Sequence, residues 1–422
     1  MKTTYFKIAF FLLLFNALLL NAQVRVVAYL PTWAGFPNSI NNVQLTKVTH
    51  INVAFANPNT SGVISLADSR TTTHLATVVT KAHAANVKVF LSIGGAGAPA
   101  STYKTLLSDA TKMNNFVTNL VTYCTTNNLD GIDVDIEGDV LDGSSVTKTQ
   151  YQTFVTALAT ALHNKSYKMT AALATWFASY VSNTAAAQFD WINLMSYDNT
   201  LPSDPAGPSS PFSQATDDFT YWNTTKAVPG SKLTIGVPFY GYGWGSYASS
   251  GEIAYSTIVS TYAGAENNDK VGSGSNVIHY NGIATIKQKT TYACSNASGV
   301  MIWQITEDAT GAKSLLTAIN DAIALCTVGI TENKAENTSL SLSVYPNPAN
   351  ETSSVKVDIE TKATTTLTVY DYLGREMDVL MNGELAAGNH IFNLNASSYP
   401  AGVYFCKMNS GTESICSTFV KE

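Results

Sequence analysis

Asp130-Gly131-Ile132-Asp133-Val134-Asp135-Ile136-Glu137 is the stretch on which the fold of this chain turns. Side chains alternate faces along a β-strand, so Asp133, Asp135 and Glu137 share one face and Ile132, Val134 and Ile136 the other. A closed barrel accommodates such a strand: the apolar face packs on surrounding helices and the acidic row points inward. Glu137, last in the row, then reaches the C-terminal rim, where barrel enzymes place their chemistry. Three neighbouring carboxylates repel one another and are costly to bury. The pattern points to acid catalysis, to a divalent-metal site completed by oxygen ligands from other strands, or to a solvated strand face.

Working outward, seven further β-branched runs bring the total to eight: residues 24–30, 49–56, 87–93, 129–137, 168–174, 191–197, 233–240 and 300–305. Longer helical windows such as 73–84, 111–125 and 150–163 separate several of them. Alternation of strand and helix implies right-handed crossovers and a parallel sheet. Eight units predict a (β/α)8 TIM barrel with an insertion between strands seven and eight, at 241–299. An open doubly wound sheet is the alternative, weakened because no Gly-x-Gly-x-x-Gly follows the first strand. Trp33, Trp176, Trp244 and Trp303 fall at or just past strand ends. Flat rings there suit the apolar faces of sugars, although buried Trp is also common core material. Trp191 and Trp222 are assigned to the core, and Gly94 and Gly95 to close backbone packing beside the acidic strand.

The 422 residues carry 24 Lys and Arg against 30 Asp and Glu, a net charge of −6. That balance argues against nucleic acid and anionic membrane surfaces as partners. Hydrophobic residues at 45% supply a sizeable core, and only 13% of residues are charged. Five cysteines are too few for a disulfide scaffold. Lys2 and Lys7, the apolar run 8–20 and Leu20-Asn21-Ala22 read as a signal peptide over residues 1–22. The run is shorter than the roughly 20 residues a membrane span needs, so stable membrane insertion is not expected.

Residues 23–328 form the expected barrel and 329–341 a polar linker. From 342 to 422, short alternating runs at 343–345, 354–359, 364–370, 388–394, 403–408 and 414–420 predict a small all-β sandwich. Asn347-Pro348, Leu373-Gly374, Asn382-Gly383 and Ser410-Gly411 read as turns between them. Cys406 and Cys416 sit symmetrically about Gly411, so a hairpin centred there would oppose them within disulfide range.

The acidic octapeptide resembles the Asp-Gly-x-Asp-x-Asp-x-Glu signature of glycoside hydrolase family 18, the chitinase family. Ser92-Ile93-Gly94-Gly95, Met195-Ser196-Tyr197-Asp198, Gly236 to Gly241 and Val300 to Trp303 resemble that family's third, sixth, seventh and eighth strand elements, in order. The resemblance implies that Glu137 is general acid and then base, assisted by Asp135, Asp133 and Tyr197. The nucleophile would be the substrate's own acetamide oxygen. Asp198, Met195, Trp303, Trp33 and Tyr240 would line the sugar site, and Asp130 would position the strand. No cofactor and no metal are implied. The expected substrate is chitin or N-acetylglucosamine oligosaccharides, cut by an endo-acting monomer. An endo-β-N-acetylglucosaminidase on N-glycans is the alternative, and a non-catalytic lectin a more distant one. Many family members follow the Glu with a bulky aromatic residue, where this chain has Gly138. The C-terminal piece, through Val344 to Ala349, Tyr370 to Arg375 and Pro400 to Tyr404, resembles the sorting domain read by type IX secretion machinery. A carbohydrate-binding sandwich competes, but the region has no Trp. Export through the periplasm to the surface or medium follows from that resemblance.

Overall fold

The computed structural model describes residues 24–138, 140–248, 251–327, 340–371, 375–400, 402–411 and 413–421. The expected signal peptide lies outside the described residues, as do the Leu373-Gly374 turn and the linker up to its last two positions. The eight strands of the barrel are β1 (Arg25–Pro31), β2 (His50–Pro58), β3 (Lys88–Gly94), β4 (Gly131–Asp135), β5 (Lys168–Leu173), β6 (Trp191–Leu194), β7 (Leu233–Pro238) and β8 (Gly299–Trp303). All neighbours pair in parallel, and β1 pairs with both β2 and β8, so the sheet closes. The expected barrel is therefore the observed one. Each of the eight predicted runs overlaps one barrel strand.

Helices follow β2 through β8, whereas short 3-10 turns carry the connection after β1. The helix after β4, Lys148–His163, shows why these form. Thr147 accepts from the Gln150 backbone N–H, and Gln150 Oε1 accepts from the Thr147 N–H at 2.9 Å, a reciprocal cap. Tyr151, Phe154, Val155, Leu158, Ala159 and Leu162 repeat at helical spacing and are buried. Each large side chain so buried contributes about 1.5–3 kcal/mol. The largest apolar core lies between sheet and helices and includes Ile132, Val134 and Ile136. The lumen holds a second cluster with Val27, Tyr29, Phe90, Trp191, Tyr197 and Met301. Trp222 is fully buried in the outer core and Trp191 in the lumen.

The bottom of the barrel repeats one fastening. Asp130 accepts from His83 Nε2 (2.7 Å), Lys88 Nζ (2.9 Å) and the Val89 N–H (2.8 Å). Asp190 accepts from His163 Nε2 (2.8 Å), Lys168 Nζ (2.7 Å) and the Met169 N–H (2.9 Å). Each Asp thus ties the end of a helix to the start of the neighbouring strand. Burial alone would raise the Asp130 carboxyl, but the three donors hold it below its ordinary value.

The insertion folds as a small antiparallel sheet of four strands in the order Ile253–Ala254, Tyr240–Trp244, Asn276–His279, Lys270–Ser273.

Among the described residues, seven strands make the C-terminal unit. β9 (Leu340–Tyr345), β10 (Thr352–Ile359) and β13 (Gly388–Asn395) form one sheet. β11 (Ala363–Asp371), β12 (Glu376–Leu385), β14 (Gly402–Ser410) and β15 (Glu413–Lys421) form the other. Two readings are corrected here. β12 was not anticipated, because Asn382-Gly383 lies inside it, opposite Thr366 and Thr365, rather than at a turn. The last hairpin is centred one half-step later than expected: Ser410 pairs with Glu413, so Cys406 stands opposite Ser417 and Cys416 opposite Lys407. A one-residue slip sends a side chain to the other face, and no disulfide joins the two thiols.

Candidate active site

The acidic row lies where the alternation predicts, with its members in different surroundings. Asp133 is fully buried in the lumen. Its Oδ2 accepts from Tyr29 Oη (2.6 Å) and Ser92 Oγ (2.8 Å), and its Oδ1 from Thr170 Oγ1 (2.5 Å) and Asn193 Nδ2 (3.3 Å). Burial raises its carboxyl and the four donors pull it back. Asp135, one layer higher, is also buried, but its Oδ1 is without a hydrogen-bond partner. Burial, then the charges of Glu137 and Asp133, push its carboxyl well above the ordinary range. Glu137 is half-buried at the mouth.

The strand is shorter than its sequence suggests. β4 ends at Asp135, so Glu137 stands two residues past it, fixed through backbone bonds on either side. The Asp135 carbonyl accepts from the Gly95 N–H at 2.7 Å. The Glu137 carbonyl accepts from Val140 N (3.0 Å) and Leu141 N (2.7 Å), side chains of which are buried. Gly94 is required for the first of these pins: a Cβ there would come within 1.9 Å of the Asp135 carbonyl oxygen, and its φ is +117°.

β6 likewise stops at Leu194, which places Met195, Tyr197 and Asp198 on a turn above the lumen. The Ser196 N–H bonds back to the Leu194 carbonyl at 2.9 Å, diverting the chain from the ladder. Gln214 Nε2 holds the Tyr197 carbonyl (2.9 Å), and Ser210 Oγ holds that of Ser196 (2.7 Å). Beneath them the buried Lys289 ammonium donates to Ser210 O (2.8 Å), Ser210 Oγ (2.5 Å) and Asn281 Oδ1 (2.9 Å). Its neutral surroundings push it down to about 7, against the weaker pull of Asp269 and Asp218. The Tyr197 side chain is buried, with its hydroxyl 3.8 Å from Met301 Sδ. Burial, then the nearby charges led by Asp135, raise the phenol far above its usual value, so it stays a donor. Asp198 adopts φ +58° and accepts from Tyr240 Oη (2.6 Å) and Tyr242 Oη (3.0 Å). The residue reaches the surface of the cleft, but partial burial of its carboxyl raises it above its ordinary value, and the two hydroxyls oppose that rise.

Trp303, from β8, forms an aromatic patch with residues of β1 and β2. Its ring stacks on Phe55 (5.7 Å), lies 6.2 Å from Trp33 and meets Tyr29 edge-on at 5.5 Å. Its indole N–H points to Glu252 Oε1 at 3.3 Å. Trp33 is 49% exposed. Met195 is half-buried against the same luminal cluster. Two aromatic residues sit otherwise than as open sugar platforms. Tyr240 is buried and commits its hydroxyl to Asp198. Trp244 is buried and donates to the Asp204 carbonyl at 2.9 Å, tying the β6 loop to the insertion.

Tyr29, Phe55, Thr170, Asn193, Tyr242 and Glu252 belong to this constellation and were missed from the sequence. A usable signal existed for two of them. Thr170 and Asn193 are inward-facing polar positions in strands buried on both faces, which otherwise read as continuous apolar runs. Glu252 comes from the insertion, where no local pattern marks it.

Residues 25–308 match Glycosyl hydrolases family 18, and residues 343–422 match the Secretion system C-terminal sorting domain. Among solved structures, the chain is similar to the GH18 chitinase ChiB from the chitin utilization locus of Flavobacterium johnsoniae. The two share 32% identity with a TM-score of 0.63, over 71% of this chain and 94% of that one. A chitinase from Bacteroides thetaiotaomicron shares 27% identity with a TM-score of 0.64, over 72% and 97%. Chitinase A1 of Niallia circulans is 27% identical over 55% of this chain and 44% of its own length, so the match spans less than half of that relative. With the acidic row, the closed barrel and a family match across most of its length, the chain belongs to glycosyl hydrolase family 18.

Proposed function

We propose that this protein is an exported chitinase that cleaves β-1,4 linkages between N-acetylglucosamine units with retention at the anomeric carbon. The observation that carries the reading is the graded acidic row: Asp133 saturated by four donors, Asp135 buried with an open oxygen, and Glu137 pinned at the mouth. Asp133 has no capacity left for substrate, which leaves Glu137 as proton donor and Asp135 as its partner. Glu137 gives its proton to the glycosidic oxygen as the C1–O bond breaks. The acetamide oxygen of the same sugar closes on C1, with Tyr197 Oη donating to the acetamide. The open Oδ1 of Asp135 accepts the acetamide N–H, steadying the ring as it closes. Glu137, now a carboxylate, takes a proton from the water that opens the ring at C1. Trp303 floors the reacting sugar, with Trp33 and Asp198 beside it.

The C-terminal sorting domain supports export by type IX secretion to the cell surface or medium. Among the described residues no helix is long and apolar enough to cross a membrane. Incubation with colloidal chitin, a high-mannose glycoprotein and fully deacetylated chitosan tests the reading. Release of N-acetylglucosamine oligomers with an initial β anomer by NMR is expected from chitin alone. Release of N-glycans instead would move the substrate to glycoproteins, and hydrolysis of the deacetylated polymer would exclude the acetamide nucleophile.

A further inference from the structure

The loop after β4 and the turn after β5 meet at Gly138. A Cβ on Gly138 would lie 2.0 Å from Cη2 of Trp176 and 2.4 Å from its Cζ3. The edge of the indole therefore occupies the space beside the residue that follows Glu137. Trp176 opens the short turn Thr175–Tyr180, whose next two side chains, Phe177 and Ala178, are buried. Phe177 meets the indole edge-on at 4.8 Å. The same two segments touch again at Gly143, where a Cβ would lie 3.0 Å from Tyr180 Cε1. Trp176 is thus held by its edge on a firm base while remaining 72% exposed. A lone exposed apolar side chain needs no explanation, but this one is braced against the chain neighbour of the proton donor.

The order of strands around the barrel fixes which side of the mouth it occupies. Trp33 follows β1, Phe55 lies in β2 and Trp303 ends β8, and β1 pairs with each of the other two strands. β4 and β5 lie across the barrel from them. A polysaccharide seated over Trp303 and crossing Glu137 next meets Trp176. We propose that Trp176 is the platform for the leaving-group sugar: the apolar face of that N-acetylglucosamine stacks on the exposed indole, and Gly138 admits the ring to its place. A bulky side chain at position 138 and the indole of Trp176 compete for one volume, so the small residue and the exposed ring form a single device. The inference rests on the chitinase reading above.

The test compares two substrates that share the reacting sugar and differ beyond the scissile bond. N-acetylchitohexaose places sugars on the leaving side, whereas 4-nitrophenyl diacetylchitobioside places an aryl group there. Trp176→Ala is expected to raise KM for the hexamer about ten-fold more than KM for the aryl substrate, the size of one aromatic contact of about 1.4 kcal/mol. Trp176→Phe should recover most of that difference, and Gly138→Phe, by displacing the indole, should reproduce it. Melting temperatures within a few degrees of the parent establish that each variant is folded. Equal effects on the two substrates, or no effect on either, would overturn the platform while leaving the chitinase reading intact. If the parent protein neither cleaves nor binds either substrate, the chitinase reading falls and the platform falls with it.

Discussion

Asp135 in the barrel and Asp371 in the C-terminal sandwich are both buried aspartates, and they are buried in opposite ways. Asp371 accepts from the Arg375 N–H (2.9 Å) and from its guanidinium Nε (2.6 Å). Both partners are local, four residues away, and the arrangement satisfies the charge. Asp135 has an open oxygen and two carboxylates as its electrostatic neighbours. A buried charge without a partner destabilises a fold, so the sandwich solves the problem of burial and the barrel retains it. The difference separates a unit that satisfies its buried carboxylate from one that keeps a buried carboxyl with an open oxygen. Among the described residues, the sandwich core is made of residues such as Val355, Val357, Leu367, Met408 and Phe419, with no acidic row inside it.

The most severe way to test that contrast is to remove the proposed proton donor. Glu137→Gln should lower kcat on chitin oligomers by at least about 10²–10⁴-fold, with oligomer binding retained by calorimetry. Activity near that of the parent would break the assignment of chemistry to the barrel row.

Asp135→Asn should also lower kcat by about 10²-fold or more, and its stability gives the sharper comparison. The folded carboxyl is raised above its unfolded value of about 3.9, so the folded state holds a proton that the unfolded state releases. Stability from this group is complete below about pH 4 and is lost as pH rises through the folded pKa. The Asn variant therefore should match the parent near pH 4 and melt higher than it at pH 8. Asp371→Asn, in contrast, should lower the melting temperature of the sandwich, because the Arg375 guanidinium loses its carboxylate.

Lys289 carries the opposite sign. Its folded pKa of about 7 lies below the unfolded value of about 10.4. Stability from this group is full above about pH 10.4 and is lost as pH falls toward 7. Chemical denaturation of the parent between pH 7 and 10 should show this component of rising stability, and Lys289→Met should lack it. The same variant leaves the buried Asn281 Oδ1 without its donor, at about 1–3 kcal/mol, and should reduce kcat through Tyr197 with Glu137 untouched.

The smallest expected effect comes from the sandwich. A protein ending at Thr327 should hydrolyse soluble oligomers within about two-fold of the full chain while failing to leave the cell, since a sheet fold without an acidic row has no step in the reaction. Alkylation of the denatured, unreduced full chain should label both Cys406 and Cys416, as their offset register requires.

Much of this was legible in the sequence because the relevant signals are local. Alternation over residues 130–137 identifies the inward face, and eight runs separated by helical windows identify the barrel. The strand ends were not legible. Met195 to Asp198 reads as strand, yet the Ser196 N–H turns back to Leu194 and Ser210 holds the turn from fourteen residues away. β12 was hidden because Asn-Gly is a turn signal, and in a bulged strand paired to Thr365 and Thr366 the same dipeptide stays extended. The Cys406–Cys416 register was misjudged by one position because loop length, two residues rather than one, sets the pairing.

Sequence alone determined which side of β4 is acidic, that Glu137 is the outermost carboxylate, and that a β-unit follows the barrel, because periodicity and order along the chain are properties of neighbouring residues. Tertiary structure alone decided the rest. It put Tyr29, Ser92, Thr170 and Asn193, from four separate strands, on one carboxylate and left the Oδ1 of Asp135 without a partner. It also set the indole of Trp176 against Gly138 from 38 residues away. Protonation and available space at a site depend on what surrounds it in three dimensions, and closing the barrel is what brings those surroundings together.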